Sequence, residues 1–96
     1  MDFISMNIET EEDLLILEKE EIDELRDLIL YNDDVNTFDF VIDALVAVCK
    51  HDLTQAEQCT YLVHYAGKCA VKRGGYNKLE PLCTALLDRG LSAEIQ

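Results

Sequence analysis

The polar side chains of this 96-residue chain that could do chemistry together lie in two places. Asn32, Asp33 and Asp34 follow a run of apolar residues, and His64 comes later in the chain. A side-chain amide, a carboxylate and a neutral imidazole all accept hydrogen bonds, so together they could hold an ammonium group that has lost its water. Each place taken alone has a simpler explanation, since Asn-Asp-Asp favours a turn and a histidine near a helix C-terminus often interacts with the helix dipole.

The residues used by common enzymes are not arranged for catalysis. Ser5 and Ser92, the two serines, lie near opposite ends of the chain and away from any histidine–carboxylate pair. Gly74-Gly75 lacks the flanking residues of a phosphate-binding loop. The cysteines that precede His64 are expected within helices, where thiols are normally inert. The sequence therefore predicts a protein that is not an enzyme and that needs no metal or cofactor.

The charge balance excludes nucleic acid as a primary partner. Eight Lys and Arg residues against 20 Asp and Glu residues give a net charge of −12, and a nucleic-acid-binding surface needs a basic face. Residues 1–27 alone carry −9, from eleven acidic and two basic residues. Residues 1–24 are predicted to form an acidic N-terminal arm. Two interpretations stay open: a solvated tail or marginal helix without a partner, and a flexible arm that another protein engages. Residues 25–96 are predicted to form one core domain.

The chain length and the cysteines indicate the number of domains and the cellular location of the protein. Ninety-six residues suit one domain, and no apolar run approaches the roughly 18 residues that span a bilayer. No leader-like series opens the chain, so we expect a cytoplasmic monomer with no membrane partner. The four cysteines lack the spacing of a zinc site and are expected to be buried, reduced thiols: Cys49, Cys59, Cys69 and Cys83.

Periodicity and capping signals predict the first elements that position the polar residues. The apolar run at 25–31 ends at Asn32 and predicts a buried strand. From Thr37 to about Lys50, apolar residues recur at three- and four-residue spacing, which predicts a helix with Asn36 or Thr37 as its N-cap.

A second helix and a second strand follow. The helix is predicted to begin at Thr54, which forms a capping box with Glu57, and to end at Gly67. His64 then lies in its last turn. Apolar and polar residues alternate from 68 to 73, which predicts a strand.

The last third of the chain predicts a helix and a closing strand. Asn77 and Glu80 form a second capping-box pair, with Pro81 in the first turn of the helix and Gly90 just beyond its end. Residues 91–95 alternate again. The order β-α-α-β-α-β predicts an α+β fold, in which a three-stranded antiparallel sheet packs against three helices.

Three short strings occur together in a recognisable order. They are residues 30–34 (LYNDD), residues 40–43 (FVID) and residues 63–68 (VHYAGK). Together they resemble the ClpS family of adaptor proteins for the Clp AAA+ protease, over a stretch from about Asp27 to Ile95. The resemblance implies a small α/β domain preceded by a flexible arm, which agrees with the order of elements above.

The resemblance also implies a function. ClpS proteins bind substrates whose N-terminal residue is large and apolar (Leu, Phe, Tyr or Trp), a signal called an N-degron, and deliver them to a Clp unfoldase. The expected partners are therefore N-degron substrate proteins and the N-terminal domain of an unfoldase of the ClpA or ClpC type. Because the free amino group would be the main determinant, acetylation of the substrate should abolish binding.

Site residues carry over from the family by position. Asn32 and His64 would hold the α-amino group, while Asp33 and Asp34 would supply a negative field and contact the first peptide unit. The pocket for the substrate's first side chain would be lined by Asn36, Phe38, Val41, Thr60, Val63 and Leu91. Phe38 and Thr60 replace methionines and Asn36 replaces a threonine that are common in the family, and the stiffer ring of Phe38 is expected to narrow the preference.

The residues that dock on the unfoldase in the family are poorly matched in this sequence. Leu79 and Thr84 stand where the family has an acidic and a basic residue on the third helix. Residues that could substitute are Glu80, Lys72, Arg73 and Lys78. Two alternatives therefore stay open: a diverged ClpS-like modulator that does not recognise N-terminal residues, and an interaction domain like the C-terminal domain of the ribosomal stalk protein.

Overall fold

Strands and helices follow one another in the predicted order β-α-α-β-α-β in the computed structural model, which describes residues 24–96. Almost all of the acidic arm predicted at 1–24 lies outside the described residues. The elements are β1 (Arg26–Tyr31), α1 (Phe38–Cys49), α2 (Leu53–Ala66), β2 (Lys68–Gly74), α3 (Tyr76–Asp88) and β3 (Ser92–Ile95).

The three strands form one antiparallel sheet, as the sequence predicts, and the structure gives their order as β2-β1-β3. At its C-terminal end, β1 places Tyr31 opposite Lys68 of β2 and Ser92 of β3. The β1–β2 register shifts between Leu28 and Ile29, which is a β-bulge. The central position of β1 means that the chain leaving it, at Asn32, emerges between the two outer strands.

Apolar residues from the sheet and from all three helices form a single core. Leu28 and Leu30 of β1 meet Leu45 of α1 and Leu79 and Leu86 of α3, and each of these side chains is at most 1% exposed. Full burial of one such side chain contributes about 1.5–3 kcal/mol before the entropy of folding is counted. The core therefore fixes the helices against one another and against β1.

The first two helices both begin with a side-chain cap. The cap of α1 is a predicted residue, whereas the cap of α2 is a different residue from the predicted one. Thr37 caps α1, since its Oγ1 accepts a hydrogen bond from the Phe40 N–H at 3.2 Å. The predicted capping box at Thr54 is wrong, because Asp52 caps α2 and accepts from the Gln55 N–H at 2.7 Å. Gly67 ends α2 as predicted, with φ of 90°, a conformation that glycine adopts without a steric penalty.

The third helix begins earlier than predicted and ends as predicted. Its N-cap is Gly75, whose carbonyl oxygen accepts from Lys78 and Leu79, so the predicted start at Asn77 is wrong. Pro81 is consequently the sixth helical residue and lies beyond the first turn, where its ring leaves the Asn77 carbonyl without the usual helical donor.

A Schellman motif closes α3. Gly90, with φ of 84°, donates to Leu87 at 2.9 Å, and Leu91 donates to Leu86 at 3.1 Å. The prediction that Gly90 follows the helix end is confirmed. The motif turns the chain back so that Leu91 lies against the core, 4% exposed.

The four cysteines are free thiols, two of them buried (Cys49 and Cys59) and two half-buried (Cys69 and Cys83). Burial raises the pKa of Cys49 to about 11 despite the opposing charge of Lys72. Burial and the neighbouring Cys59 thiol raise the pKa of Cys69 to about 12. High pKa values keep these thiols protonated near neutral pH and make them poor nucleophiles.

Residues 24–96 show neither a membrane-spanning helix nor a cluster of metal ligands. No helix there is long and apolar enough to cross a membrane. Within the same residues, no three or more His, Cys, Asp or Glu side chains group together as ligands for a metal ion.

Candidate functional site

A pocket opens where the C-terminal end of β1 meets α1, α2 and the turn between α3 and β3. It encloses about 310 Å³, counting the part that is continuous with solvent. Its lining residues are Leu30, Tyr31, Asn32, Asp33, Asn36, Phe38, Val41, Thr60, Val63, His64 and Leu91.

The pocket lining includes every residue that the sequence analysis placed in the site except Asp34. Asp34 is exposed at the tip of the loop after β1. Two lining residues were missed, Leu30 and Tyr31. Both belong to β1 and look like ordinary strand residues in the sequence, so only their position just before Asn32 could have indicated them.

Asp33 organises the loop between β1 and α1. Its Oδ1 accepts hydrogen bonds from the backbone N–H groups of Val35, at 3.0 Å, and Asn36, at 2.9 Å. The Asn36 amide donates to both carboxylate oxygens, at 3.0 and 2.8 Å. Partial burial raises the pKa of Asp33, but the hydrogen bonds from Asn36 and Val35 outweigh it, so this pKa lies below its ordinary value. Asp33 is therefore ionised at neutral pH and hydrogen-bonded to its own loop.

Asn36 connects this loop to a distant part of the chain. Its Nδ2 also donates to the Gly90 carbonyl oxygen at 3.0 Å, across 54 residues. The two protons on Nδ2 are thus shared between Asp33 and Gly90. Because Gly90 precedes Leu91, this bond holds the loop against the strand end that supplies one wall of the pocket.

Asn32 and His64 leave acceptor atoms at the mouth of the pocket. The Asn32 backbone N–H donates to the Gly67 carbonyl oxygen at 2.9 Å, which holds the end of β1 beside the end of α2. Both side chains are exposed, and neither forms a hydrogen bond to any residue within 24–96. An amide oxygen and an imidazole nitrogen are thus available to a donor from outside the protein.

The inner wall of the pocket is apolar. Val41, Val63 and Leu91 are 8%, 5% and 4% exposed and belong to the hydrophobic core. Thr60 is 2% exposed, and its Oγ1 donates to the Ala56 carbonyl oxygen at 2.7 Å. Because its own helix satisfies this hydroxyl donor, Thr60 can face the pocket at little cost.

Aromatic rings pack around the outer wall. Phe38 makes edge-to-face contacts with Tyr61 and with His64, at centroid distances of 5.2 and 5.0 Å. His64 makes a further edge-to-face contact with Tyr65 at 5.0 Å, and Tyr61 stacks on Tyr65 at 5.8 Å. These contacts restrict the orientations of Phe38 and His64, and Tyr61 and Tyr65 were not anticipated as neighbours of the site.

The site as a whole combines two chemistries. Hydrogen-bond acceptors and a negative charge surround the mouth, and apolar side chains line the interior. Such a pocket suits a ligand with a cationic donor group next to one large apolar side chain.

The chain resembles known proteins in its sequence. The family model for the ATP-dependent Clp protease adaptor protein ClpS matches residues 22–94. The ATP-dependent Clp protease adapter protein ClpS of Salmonella gallinarum is 44% identical over 41 residues, which make up 43% of this chain and 39% of that protein. The matched stretch thus spans well under half of that curated relative.

A solved structure shares the fold. The structure of Agrobacterium tumefaciens ClpS2 bound to L-phenylalaninamide superposes with a TM-score of 0.73 at 22% identity. The superposition covers 76% of this chain and 95% of that chain. At this level of identity, the likeness shows a common fold and no more.

Proposed function

This chain belongs to the ClpS family of adaptor proteins of the ATP-dependent Clp protease, and from that premise we propose that it binds N-degrons. Its ligand would be a protein whose free N-terminal residue is Leu, Phe, Tyr or Trp. It would deliver that protein to a Clp AAA+ unfoldase for degradation, and it would act as a binding module without chemistry of its own.

The observation that carries this proposal is the convergence of residues distant in sequence on one pocket. Asn32 and Asp33 follow β1, His64 ends α2, and Leu91 precedes β3, yet all four line the same cavity. A turn or a helix-dipole contact would explain Asn32 or His64 alone, but neither explains why they face a common space next to an apolar wall. The L-phenylalaninamide bound by the Agrobacterium relative, with a free amino group and an apolar side chain, supports the same ligand class here.

In this proposal, the α-amino group of the substrate donates to Asn32 Oδ1 and to a ring nitrogen of His64. Both atoms lack a partner among the described residues, so a charge-assisted bond to either displaces only water. Asp33 acts through its charge and by holding the loop, since its Oδ1 accepts from two backbone N–H groups and both oxygens accept from the Asn36 amide. Asp34, which is exposed and outside the lining, contributes only to the negative field.

The first side chain of the substrate would enter between the apolar walls. Val41, Val63 and Leu91 supply preformed contacts from the core, so the protein loses little entropy when the pocket is filled. Phe38 forms the outer wall, and its two ring contacts oppose the adjustment that a β-branched side chain would require. We therefore propose that Ile and Val are excluded. Asn36 stands at the rim, and Thr60 completes the inner wall.

The docking surface for the unfoldase is proposed on α3. Leu79 is fully buried and cannot contact a partner, which removes one of the two positions matched to the family. Lys72 and Arg73 lie on β2 and not on this helix. Glu80 and Lys78 are exposed on α3 itself and are therefore the candidates to meet the N-terminal domain of a ClpA-type or ClpC-type unfoldase.

The protein would act as a monomer, since one pocket per chain suffices to bind one amino terminus. The cytoplasmic location predicted from the sequence is part of the same proposal.

Fluorescence anisotropy with short labelled peptides tests the function. The peptides are identical except at the first position, which is Leu, Phe, Ile, Met or N-acetyl-Leu. We expect micromolar or tighter binding to Leu and Phe, weak binding to Ile, and none to the acetylated peptide. If no peptide binds, recognition of N-terminal residues is refuted, and the alternative of a modulator that acts on the unfoldase alone is favoured.

A further inference from the structure

Next to the pocket lie two exposed tyrosines whose rings form a small aromatic surface. We propose that Tyr61 and Tyr65 form a second subsite that binds an arginine side chain at the second or third position of the substrate. The inference rests on the proposed function, because it needs a peptide whose first residue occupies the pocket. It adds a preference that depends on residues beyond the first.

The two rings are arranged as a platform. Tyr61 and Tyr65 lie four residues apart on α2 and therefore on one face of the helix. Their planes differ by only 9°, at a centroid distance of 5.8 Å. Tyr61 is 53% exposed and Tyr65 75% exposed, so both rings present apolar surface to solvent. Burial in the core explains neither residue.

The platform is continuous with the pocket. Tyr61 contacts Phe38 at 5.2 Å and Tyr65 contacts His64 at 5.0 Å between ring centroids, and both Phe38 and His64 line the cavity. An extended peptide advances about 3.3 Å per residue. A substrate whose chain leaves the pocket past Phe38 and His64 would bring its second and third residues over the two tyrosines.

The charged residues near the two tyrosines favour a cationic side chain in the substrate. Helices α1 and α2 contain three carboxylates (Asp39, Asp43 and Glu57) and no Lys or Arg. Glu57 lies one turn before Tyr61 on the same face of α2 and is exposed. Lys68, exposed three residues after Tyr65, is outnumbered by these carboxylates, so cationic side chains of the substrate would be favoured here over acidic ones.

The planar guanidinium group makes arginine a better ligand for the two rings than lysine. A guanidinium group stacks on an aromatic face and donates hydrogen bonds in its own plane, whereas the compact ammonium of lysine is more strongly hydrated. Exposed cation–π contacts contribute about 0.5–1 kcal/mol, which corresponds to a roughly two- to five-fold gain in affinity. We expect an arginine at the second or third position to bring a gain of this size.

Anisotropy measurements with the full chain test the subsite. The peptides begin with Leu and carry Arg, Lys, citrulline or Ala at the second position, and a parallel set carries them at the third. Citrulline keeps the shape of arginine without its charge. We expect the Arg peptide of at least one set to bind about two- to five-fold tighter than its Ala and citrulline counterparts, with Lys in between.

Variants then assign this gain to the two rings. Tyr61→Leu and Tyr65→Leu should reduce the Arg-over-Ala ratio to about one, and because both affinities are measured on the same variant, any effect of the lost Phe38 and His64 contacts on the first residue cancels in this ratio. Tyr76→Leu is the matched control, since Tyr76 is 50% exposed on α3 and does not line the pocket. This variant should keep the full ratio.

The possible failures are distinguishable. An equal affinity for Arg, citrulline and Ala peptides overturns the subsite while the N-degron function stands. An Arg preference that survives both tyrosine substitutions also overturns it, since the preference would then come from the overall negative charge. If no Leu peptide binds, the proposed function fails and the subsite fails with it.

Discussion

Replacing Asp33 by alanine should damage the site far more than replacing its neighbour Asp34. Both substitutions remove one negative charge from the same loop, so they affect the electrostatic field similarly. Only Asp33 accepts hydrogen bonds from Val35 and Asn36, and only Asp33 lines the pocket. The pair of variants therefore separates the loop-organising role of a carboxylate from its charge.

The magnitude follows from the bonds that are lost. Asp33→Ala removes the acceptor for two backbone N–H groups and for the Asn36 amide, all of which can turn to water because the loop is only partly buried. We expect stability to fall by about 1–2 kcal/mol and binding of a Leu peptide to weaken by about 2 kcal/mol, roughly thirty-fold. Asp34→Ala should change either quantity by less than about 0.5 kcal/mol.

Two assays measure these changes. Urea unfolding followed by circular dichroism gives the free energy of unfolding, and anisotropy gives the dissociation constant. Asp33→Asn serves as an intermediate, since its single amide oxygen can still accept from the backbone while the second contact with Asn36 is lost. Its effects should fall between those of wild type and Asp33→Ala.

The pH dependence provides an independent check. The folded-state pKa of Asp33 lies below its ordinary value of 3.8, so the carboxylate stabilises the fold above that pH. This contribution is lost as the pH falls through the folded pKa. The stability difference between wild type and Asp33→Ala should therefore be constant from pH 5 to 7 and shrink below about 4. Equal effects of the Asp33 and Asp34 variants, or a difference that does not change in acid, would refute the role given to Asp33.

Three further predictions concern the other residues of the site and the thiols. His64→Leu should weaken binding of a Leu peptide by about 1–3 kcal/mol, while His64→Gln, which keeps an acceptor, should lose less; equal losses in anisotropy would mean that His64 only packs against the ligand. Phe38→Ala should lower the ratio of Leu to Ile peptide affinity, and an unchanged ratio would show that Phe38 does not exclude β-branched residues. The pKa values of Cys49 and Cys69 are raised to about 11 and 12, so their contribution to stability is complete below pH 9 and declines as the pH rises towards those values. As the pH rises from 9 to 11, the free energy of unfolding measured with urea should fall less in the Cys49→Ala, Cys69→Ala double variant than in wild type. Equal falls in the two proteins would contradict the raised pKa values of these thiols.

The order of elements was predictable because it depends on patterns within each element. Alternating or continuous apolar residues indicated the strands, and three- and four-residue spacing indicated the helices. The helix starts were less predictable, since two capping boxes suggested by the sequence do not form. At α2 the carboxylate of Asp52 was available two residues before Thr54, and at α3 the Gly75 carbonyl takes the first N–H groups without any side chain.

The residues that line the pocket were predictable as a group only through the combination of strings that resembles the ClpS family. Asp33 and Asn36 are three residues apart, and their contact could be expected from local turn chemistry. The bond from Asn36 to Gly90 joins residues 54 apart, and no periodicity indicates it. Tyr61 and Tyr65 did carry a local signal, because two aromatic residues at i and i+4 share a helix face; on a helix that also supplies core residues, that signal is easily taken for packing.

Some residues that line this pocket also belong to the hydrophobic core, so a substitution there can change both stability and binding. Val41, Val63 and Leu91 belong to the core and also form the wall, so truncating any of them creates a cavity and alters the site at once. Asn32 and His64 are exposed and form no hydrogen bonds among the described residues, so replacing them should leave folding nearly unchanged. Loss of binding without loss of stability at these two positions is therefore the signature that distinguishes a recognition site from a well-packed end of the core.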